Sequence, residues 1–235
     1  MPRVSRSPDR NRLLASLSPA DLGLLQPDLE PLTLKLRHVL EKPNKRIEHV
    51  YFIDGGIASV IAVQVKERDI KVGLIGCEGM SGTAVVLGDD RSPHSTYIQV
   101  AGEGQRIAAV KLRNAMKASG SLHNALLKYV QAFMVQMAHT AIANARAKID
   151  ERLARWILMA HDRVRDDRLL LTHEFLALML AVRRAGVTEA LHSLESRGLI
   201  EAARGKIVVL DRKGVEQSAA GYYGVPEAEY RRLIG

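Results

Sequence analysis

The chain has 235 residues, 47% hydrophobic and 26% charged, which is enough for two globular domains. Its net charge of +8 and pI of about 9.7 favour a polyanionic partner. A single cysteine, Cys77, excludes an internal disulfide and any multi-cysteine metal or iron–sulfur site.

The opening MPRVSRSPDR is polar and predicts a disordered lead. Asn11 to Leu36 reads as short helices. Ser18 is placed to cap one of them, with Pro19 at its first position and Leu22, Leu24, Leu25 and Leu29 as an apolar stripe. From Thr33 to about Ala109 the pattern changes to strands. The runs VYFI, IASVIAV, KVGLI, STYIQV and RIAAV are separated by Gly, Asp, Asn and Pro, at the spacing of a β-sandwich or barrel. Asp54-Gly55-Gly56 is a turn signal between two of them.

Lys111 to Met116 resumes helical structure, and Leu122 to Lys148 predicts one long helix. Along it Leu122, Leu126, Tyr129, Phe133, Gln136, Thr140 and Asn144 recur every three or four residues. A seam of that length beside a small barrel predicts pairing with a twin helix in a parallel dimer. The plain alternative is a helix buried in its own domain. Ile149-Asp150-Glu151 reads as a hinge, after which Arg152 to Asp162 presents Leu153, Trp156, Ile157 and Met159 inward.

The stretch LTHEFLALMLAVRRAGVTEALHSLESRGLIEAARGKIVVL, residues 171–210, carries the functional signal. Thr172 caps a first helix with Phe175, Leu176, Met179 and Leu180 on its inner side. After a break at Ala181-Val182, a second helix runs from about Arg183 to Arg197 and stops at Gly198. Val187, Ala190, Leu191 and Leu194 bury one face of it, leaving Arg183, Arg184, Thr188, Glu189 and His192 on the other. LIEAA and KIVVL then form a hairpin whose tip holds Arg204 and Lys206. Helix, turn, helix, hairpin is the winged helix-turn-helix pattern, with its second helix in the major groove of double-stranded DNA. Arginine at the start of that helix has the fork geometry for guanine or phosphate. A helical pair with a solvated charged face is the plain alternative. The region's charge does not decide between them, since seven Arg/Lys against five Asp/Glu leave residues 171–213 with a net of only +2. A helix is predicted after Asp211.

A small barrel, a long helix and a winged helix-turn-helix, in that order, resemble the Crp/Fnr superfamily of bacterial transcription regulators. The residues that carry the resemblance are HVYFIDGGIASV, IDERLARWILMAHD and LTHEFLALMLAVRRAGVTEALHSLESRGLI. The resemblance implies an α+β fold. A cyclic-nucleotide-binding-like jelly-roll barrel would span 11–118, a dimerisation helix 119–148 and a winged helix-turn-helix DNA-binding domain 149–235. It further implies a homodimeric, cytoplasmic, non-enzymatic regulator that meets RNA polymerase. Its DNA-facing residues would be Thr172, Arg183, Arg184, Thr188, Glu189, His192, Arg204 and Lys206.

The departures are as informative. Nucleotide-binding members carry Gly-Glu and, further on, Arg followed by Ser or Ala, for the ribose hydroxyl and the cyclic phosphate. The matching positions here are Gly82-Thr83 and His94-Ser95. Thr83 lacks a carboxylate, and His94 lacks the permanent charge and fork that a phosphate needs. Arg91 is the nearest substitute in sequence. Gly82, Thr83, His94 and Ser95 therefore form a candidate ligand site that does not suit cyclic AMP. In the recognition helix, Glu189 stands where the family commonly has Arg, and Ala185 where it commonly has Glu, so the operator should differ from the family's best-known one.

No cofactor or metal is implied, and the effector stays open. Hydrolase, kinase and dehydrogenase signatures are absent, and no apolar run is long enough to span a membrane. The remaining alternative is a small-molecule-sensing module with a vestigial DNA-binding domain.

Overall fold

A computed structural model describes residues 11–62, 70–164, 167–171, 173–180, 182–203 and 205–235, without the side chains of residues 174, 175 and 178. The expectations for the disordered lead, Thr172, Phe175 and Arg204 fall outside what is described.

The chain opens with α1 (Arg12–Ala15), α2 (Pro19–Leu25) and a 3-10 turn (Gln26–Asp28). Ser18 caps α2 by accepting from the Asp21 N–H, as expected. Seven strands follow: β1 (Glu30–Leu34), β2 (Val39–Glu41), β3 (His49–Ile53), β4 (Ile57–Ala62), β5 (Ile70–Ile75), β6 (His94–Val100) and β7 (Gly102–Ala108). Strand structure begins at Glu30, ahead of the expected Thr33. The one-turn helix α3 (Thr83–Val86) was not legible, being too short for any periodicity.

The strands form two antiparallel sheets, β1-β7-β3 and β2-β6-β4-β5. These are open sheets packed face to face rather than a closed barrel. Leu34, Phe52, Ile53, Ile75, Met80, Ile98 and Ile107 are all at most 1% exposed and make a single core. The expected Asp54-Gly55-Gly56 turn joins β3 to β4. Gly56 has φ +90°, and a Cβ there would meet the Val100 carbonyl at 2.5 Å, so only glycine fits. Asn11, fully buried, ties the start of the chain to this turn region by donating its amide to the carbonyls of Ile53 and Gly79.

Two helices connect the sheets to the C-terminal half: α4 (Ala109–Ala118) and α5 (Gly120–Arg146). Ser119 caps α5 by accepting from the Leu122 N–H at 3.2 Å. Leu122, Leu126, Tyr129, Phe133 and Gln136 are buried, but against the chain's own sheets. The Tyr129 hydroxyl donates to the Met80 carbonyl at 2.9 Å, and the Gln136 amide oxygen accepts from the Leu74 N–H at 2.8 Å. Gly73 admits the Phe133 ring, which would lie 2.6 Å from a Cβ. The part of the expected seam from Leu122 to Gln136 is thus filled within the chain, while Asn144 stays exposed. Periodicity reports that a face is buried, not what buries it.

The remaining elements are α6 (Ile149–His161), β8 (Arg168–Leu169), α7 (His173–Leu180), α8 (Arg184–Ser196), β9 (Ile200–Ala203), β10 (Lys206–Val209), α9 (Arg212–Ser218) and α10 (Val225–Leu233). The break before α6 falls at Ala147-Lys148, not within Ile149–Glu151. Those three residues are already helical, and the Glu151 carboxylate accepts the Lys148 N–H at 2.8 Å. Leu153, Trp156, Ile157 and Met159 face inward, as expected, and form a second core with Leu176, Leu180, Val187, Leu191, Leu194, Ile200 and Ile207.

The two cores are joined at several points. Arg163, just after α6, forms a buried ion pair with Glu78 of the sheet domain at 2.7 Å. Gly76 makes room for it, since a Cβ there would lie 2.5 Å from the Arg163 stem. Burial works against the Arg163 charge, but Glu78, Asp162 and Glu227 together outweigh it and raise its pKa. The Lys71 ammonium of β5 lies 5.4 Å from the centre of the Trp156 ring and contacts the Met179 sulfur of α7. The tail beyond α9 returns as α10 against α5, and its Tyr230 hydroxyl donates to the Glu78 carbonyl at 2.7 Å.

Candidate nucleic-acid interface and sensor pocket

The exposed face of α8 is the first candidate site. Val187, Ala190, Leu191 and Leu194 are at most 5% exposed and hold one side of the helix in the core. Arg183, Arg184, Thr188, Glu189 and His192 all lie exposed on the other side. Arg183 is the N-cap, with φ −73° and ψ 150°, and Arg184 is the first helical residue. The two arginines thus flank the helix start, one just outside it and one in its first turn. The Thr188 hydroxyl folds back onto the Arg184 carbonyl at 3.2 Å and lies 3.3 Å from His173 Nδ1 of α7. Thr188 thus bridges both helices of the motif.

Behind α8 stands a three-stranded sheet ordered β8-β10-β9. The β9–β10 hairpin is in the expected place, with Lys206 paired to Ala203 and Gly205 at φ +76°. Lys206 is half-buried near its tip. The Glu195 carboxylate of α8 accepts the Ala202 N–H at 2.9 Å, fixing the hairpin to the helix. The two-residue strand β8 gave no sequence signal.

The second candidate is a pocket of about 150 Å³ between the four-stranded sheet and α5. Gly82, Thr83 and His94 line it, as the sequence suggested. Ser95 does not, and its hydroxyl leans toward the Glu41 carbonyl at 3.4 Å. Arg91 is also elsewhere, exposed and paired with Asp90 at 3.4 Å. The residue that sequence reasoning missed is Glu41. The residue is 8% exposed and lines the pocket, and its carboxylate accepts the Gly82 N–H at 2.9 Å. Burial raises its pKa, against the lowering effect of the Gly82 N–H and the Thr96 hydroxyl. Val60, Ile75, Val130, Phe133 and Met137 supply an apolar wall. Of the backbone donors here, the Gly82 N–H is thus already held by the protein's own carboxylate.

A jelly-roll-like sandwich joined through a long helix to a winged helix-turn-helix defines a class of two-domain proteins with a DNA-reading motif. Comparison with known proteins narrows this. Residues 151–218 match the Crp-like helix-turn-helix domain family. No curated protein matches the chain in sequence. Among solved structures, a Eubacterium rectale protein assigned to the Crp/Fnr family is similar with a TM-score of 0.68 at 19% identity, covering 89% of this chain and 98% of its own. FixK2 from Bradyrhizobium japonicum gives 0.68 at 13%, covering 80% and 96%. A CRP-family transcriptional regulator from Thermus thermophilus gives 0.66 at 17%, covering 81% and 97%. Residues 151–218 are therefore a Crp-like helix-turn-helix domain, and the chain as a whole has the Crp/Fnr fold.

Proposed function

We propose that the chain is a sequence-specific DNA-binding transcription regulator that acts as a homodimer on a near-palindromic site and does not respond to cyclic AMP. The observation that carries this reading is the two-sided α8. Its apolar stripe is buried, while Arg183, Arg184, Thr188, Glu189 and His192 are exposed on the face suited to major-groove contacts. Lys206 at the hairpin is suited to adjacent phosphate.

Dimerisation is supported by the exposed flank of α5, beside the face that covers the sheets. Leu127, Met134 and Ile142 are 37%, 57% and 46% exposed there. With Gln131, Ala138 and Ala145 they recur every three or four residues, the spacing of a helix pair. Two such subunits would set their α8 helices in successive major grooves about 34 Å apart.

Against a cyclic nucleotide stands the pocket chemistry. Glu41 presents a carboxylate where a phosphate would need a cation, and no Arg or Lys lines the cavity among the described residues. The direct test is selection of bound sequences from random duplex DNA with the purified protein, followed by affinity measurements at several salt concentrations. A regulator yields a two-fold-related site and an affinity that falls steeply with salt. An absence of binding at low salt overturns the reading.

A further inference from the structure

The pocket beside Glu41 is unusual in what surrounds its carboxylate. The described residues offer Glu41 a backbone N–H from Gly82 and a hydroxyl from Thr96, but no Lys or Arg. A buried carboxylate is costly without a counter-charge or a full set of donors. Among the described residues His94 is the only other titratable side chain lining the cavity; Thr83, Ser92 and Thr96 complete its polar part. The rest is aliphatic, sulfur or aromatic, from Val60, Ile75, Leu87, Val130, Phe133, Met134 and Met137. Leu87 and Met134, 61% and 57% exposed, stand at the mouth.

Size narrows the choice further. A cavity of about 150 Å³ matches the space that takes up a benzene-sized molecule. From these three observations we infer that the pocket binds a small primary amine with an apolar body, the ammonium on Glu41 and the body against Phe133 and Val130, and that it rejects anions. The inference rests on reading the chain as a regulator with a sensor domain, and names the class of its effector. The ammonium supplies a counter-charge that the described lining lacks and donates to the Glu41 carboxylate. A charge-assisted contact of this kind is stronger than a neutral one. A carboxylate or phosphate ligand meets Glu41 as a like charge. The pocket is walled by α5 through Val130, Phe133, Met134 and Met137, so occupancy bears directly on the helix that joins the two domains.

The test uses the purified full chain and four probes of nearly one shape: benzylamine, benzyl alcohol, toluene and benzoate. Calorimetry at neutral pH should find benzylamine the tightest and benzoate without measurable binding. Glu41→Gln should weaken benzylamine by about tenfold or more, and leave toluene unchanged. Benzoate binding as well as benzylamine overturns the inference, as does an absence of benzylamine binding at millimolar concentration or an unchanged affinity in the variant. If Glu41→Gln does not fold, the probe order in the parent protein decides alone. DNA binding is measured on the same preparation. DNA binding without amine binding overturns the pocket assignment and spares the regulator. Amine binding without DNA binding does the reverse.

Discussion

Replacing Arg163 with methionine removes the cation from the buried pair with Glu78 while keeping an aliphatic stem in the channel above Gly76. In the parent, the guanidinium donates to Glu78 at 2.7 and 2.8 Å and to the Met159 carbonyl at 2.7 Å, with the two side chains 6% and 11% exposed. Breaking such a pair from one side leaves a carboxylate without its cation and costs about 3–5 kcal/mol. For a chain of this size each kcal/mol moves the melting temperature by about 2–4 °C, so Arg163→Met should lower it by roughly 6–20 °C. The double variant Glu78→Gln with Arg163→Met removes both charges and should recover most of that loss, because no buried ion is left stranded. Melting and urea curves on the parent, the two single variants and the double variant form a complete cycle. A single-variant shift below about 2 °C, or a double variant no better than Arg163→Met, would refute the view that this pair clamps the two domains together.

Three further outcomes follow from the same geometry. Calorimetry should find no micromolar binding of cyclic AMP or cyclic GMP, since the missing ionic contacts at Thr83 and His94 weaken them by at least about a hundredfold against a full site; a micromolar constant for either contradicts this. Glu41→Gln should raise the melting temperature at neutral pH. Burial lifts the folded-state pKa of Glu41 above its ordinary 4.5, so its share of stability is present below that value and is lost as pH rises. The advantage should fade as pH falls toward 4.5, and a pH-independent difference from pH 4 to 8 is the contrary result. Met134→Glu and Ile142→Glu, on the exposed face of α5, should turn a micromolar dimer into monomer by sedimentation or light scattering without loss of fold; dimers that persist contradict the proposed seam.

Parts of this architecture could be read from the sequence because they obey a period. Val187, Ala190, Leu191 and Leu194 could have no other arrangement in a helix than one buried stripe, and the arginines before them had to fall at its start. The strand runs and the Asp54-Gly55-Gly56 turn were legible for the same kind of reason. The seam on α5 shows the limit of that method. Tyr129 and Phe133 signal a buried face equally well whether a twin helix or the chain's own sheet covers it. Elements of two to four residues, such as β8 and α3, are too short to repeat anything. Contacts between residues far apart leave no local mark at all. Glu78 and Arg163 are 85 positions apart, and Glu41 reaches Gly82 across 41. The Glu41 carboxylate in the pocket was therefore invisible, although Gly82, whose N–H it holds, was not.

The central claim is that α8 reads DNA through its N-terminal arginines, and DNA affinity as a function of salt for Arg183→Ala and Arg184→Ala tests it most directly. Each variant is titrated by fluorescence anisotropy against the selected site and against a random duplex. Arg184 shares its face with Thr188, so Arg184→Ala should cost about 1–3 kcal/mol on the selected site and relax preference at one base pair. Arg183, at the cap and outside the helix, should act on the backbone. Arg183→Ala should then weaken both duplexes alike and reduce the salt slope by about one unit. Both side chains are exposed, so stability should stay within about 0.5 kcal/mol of the parent. Two folded variants that bind both duplexes like the parent would contradict the assignment of α8 as the reading helix.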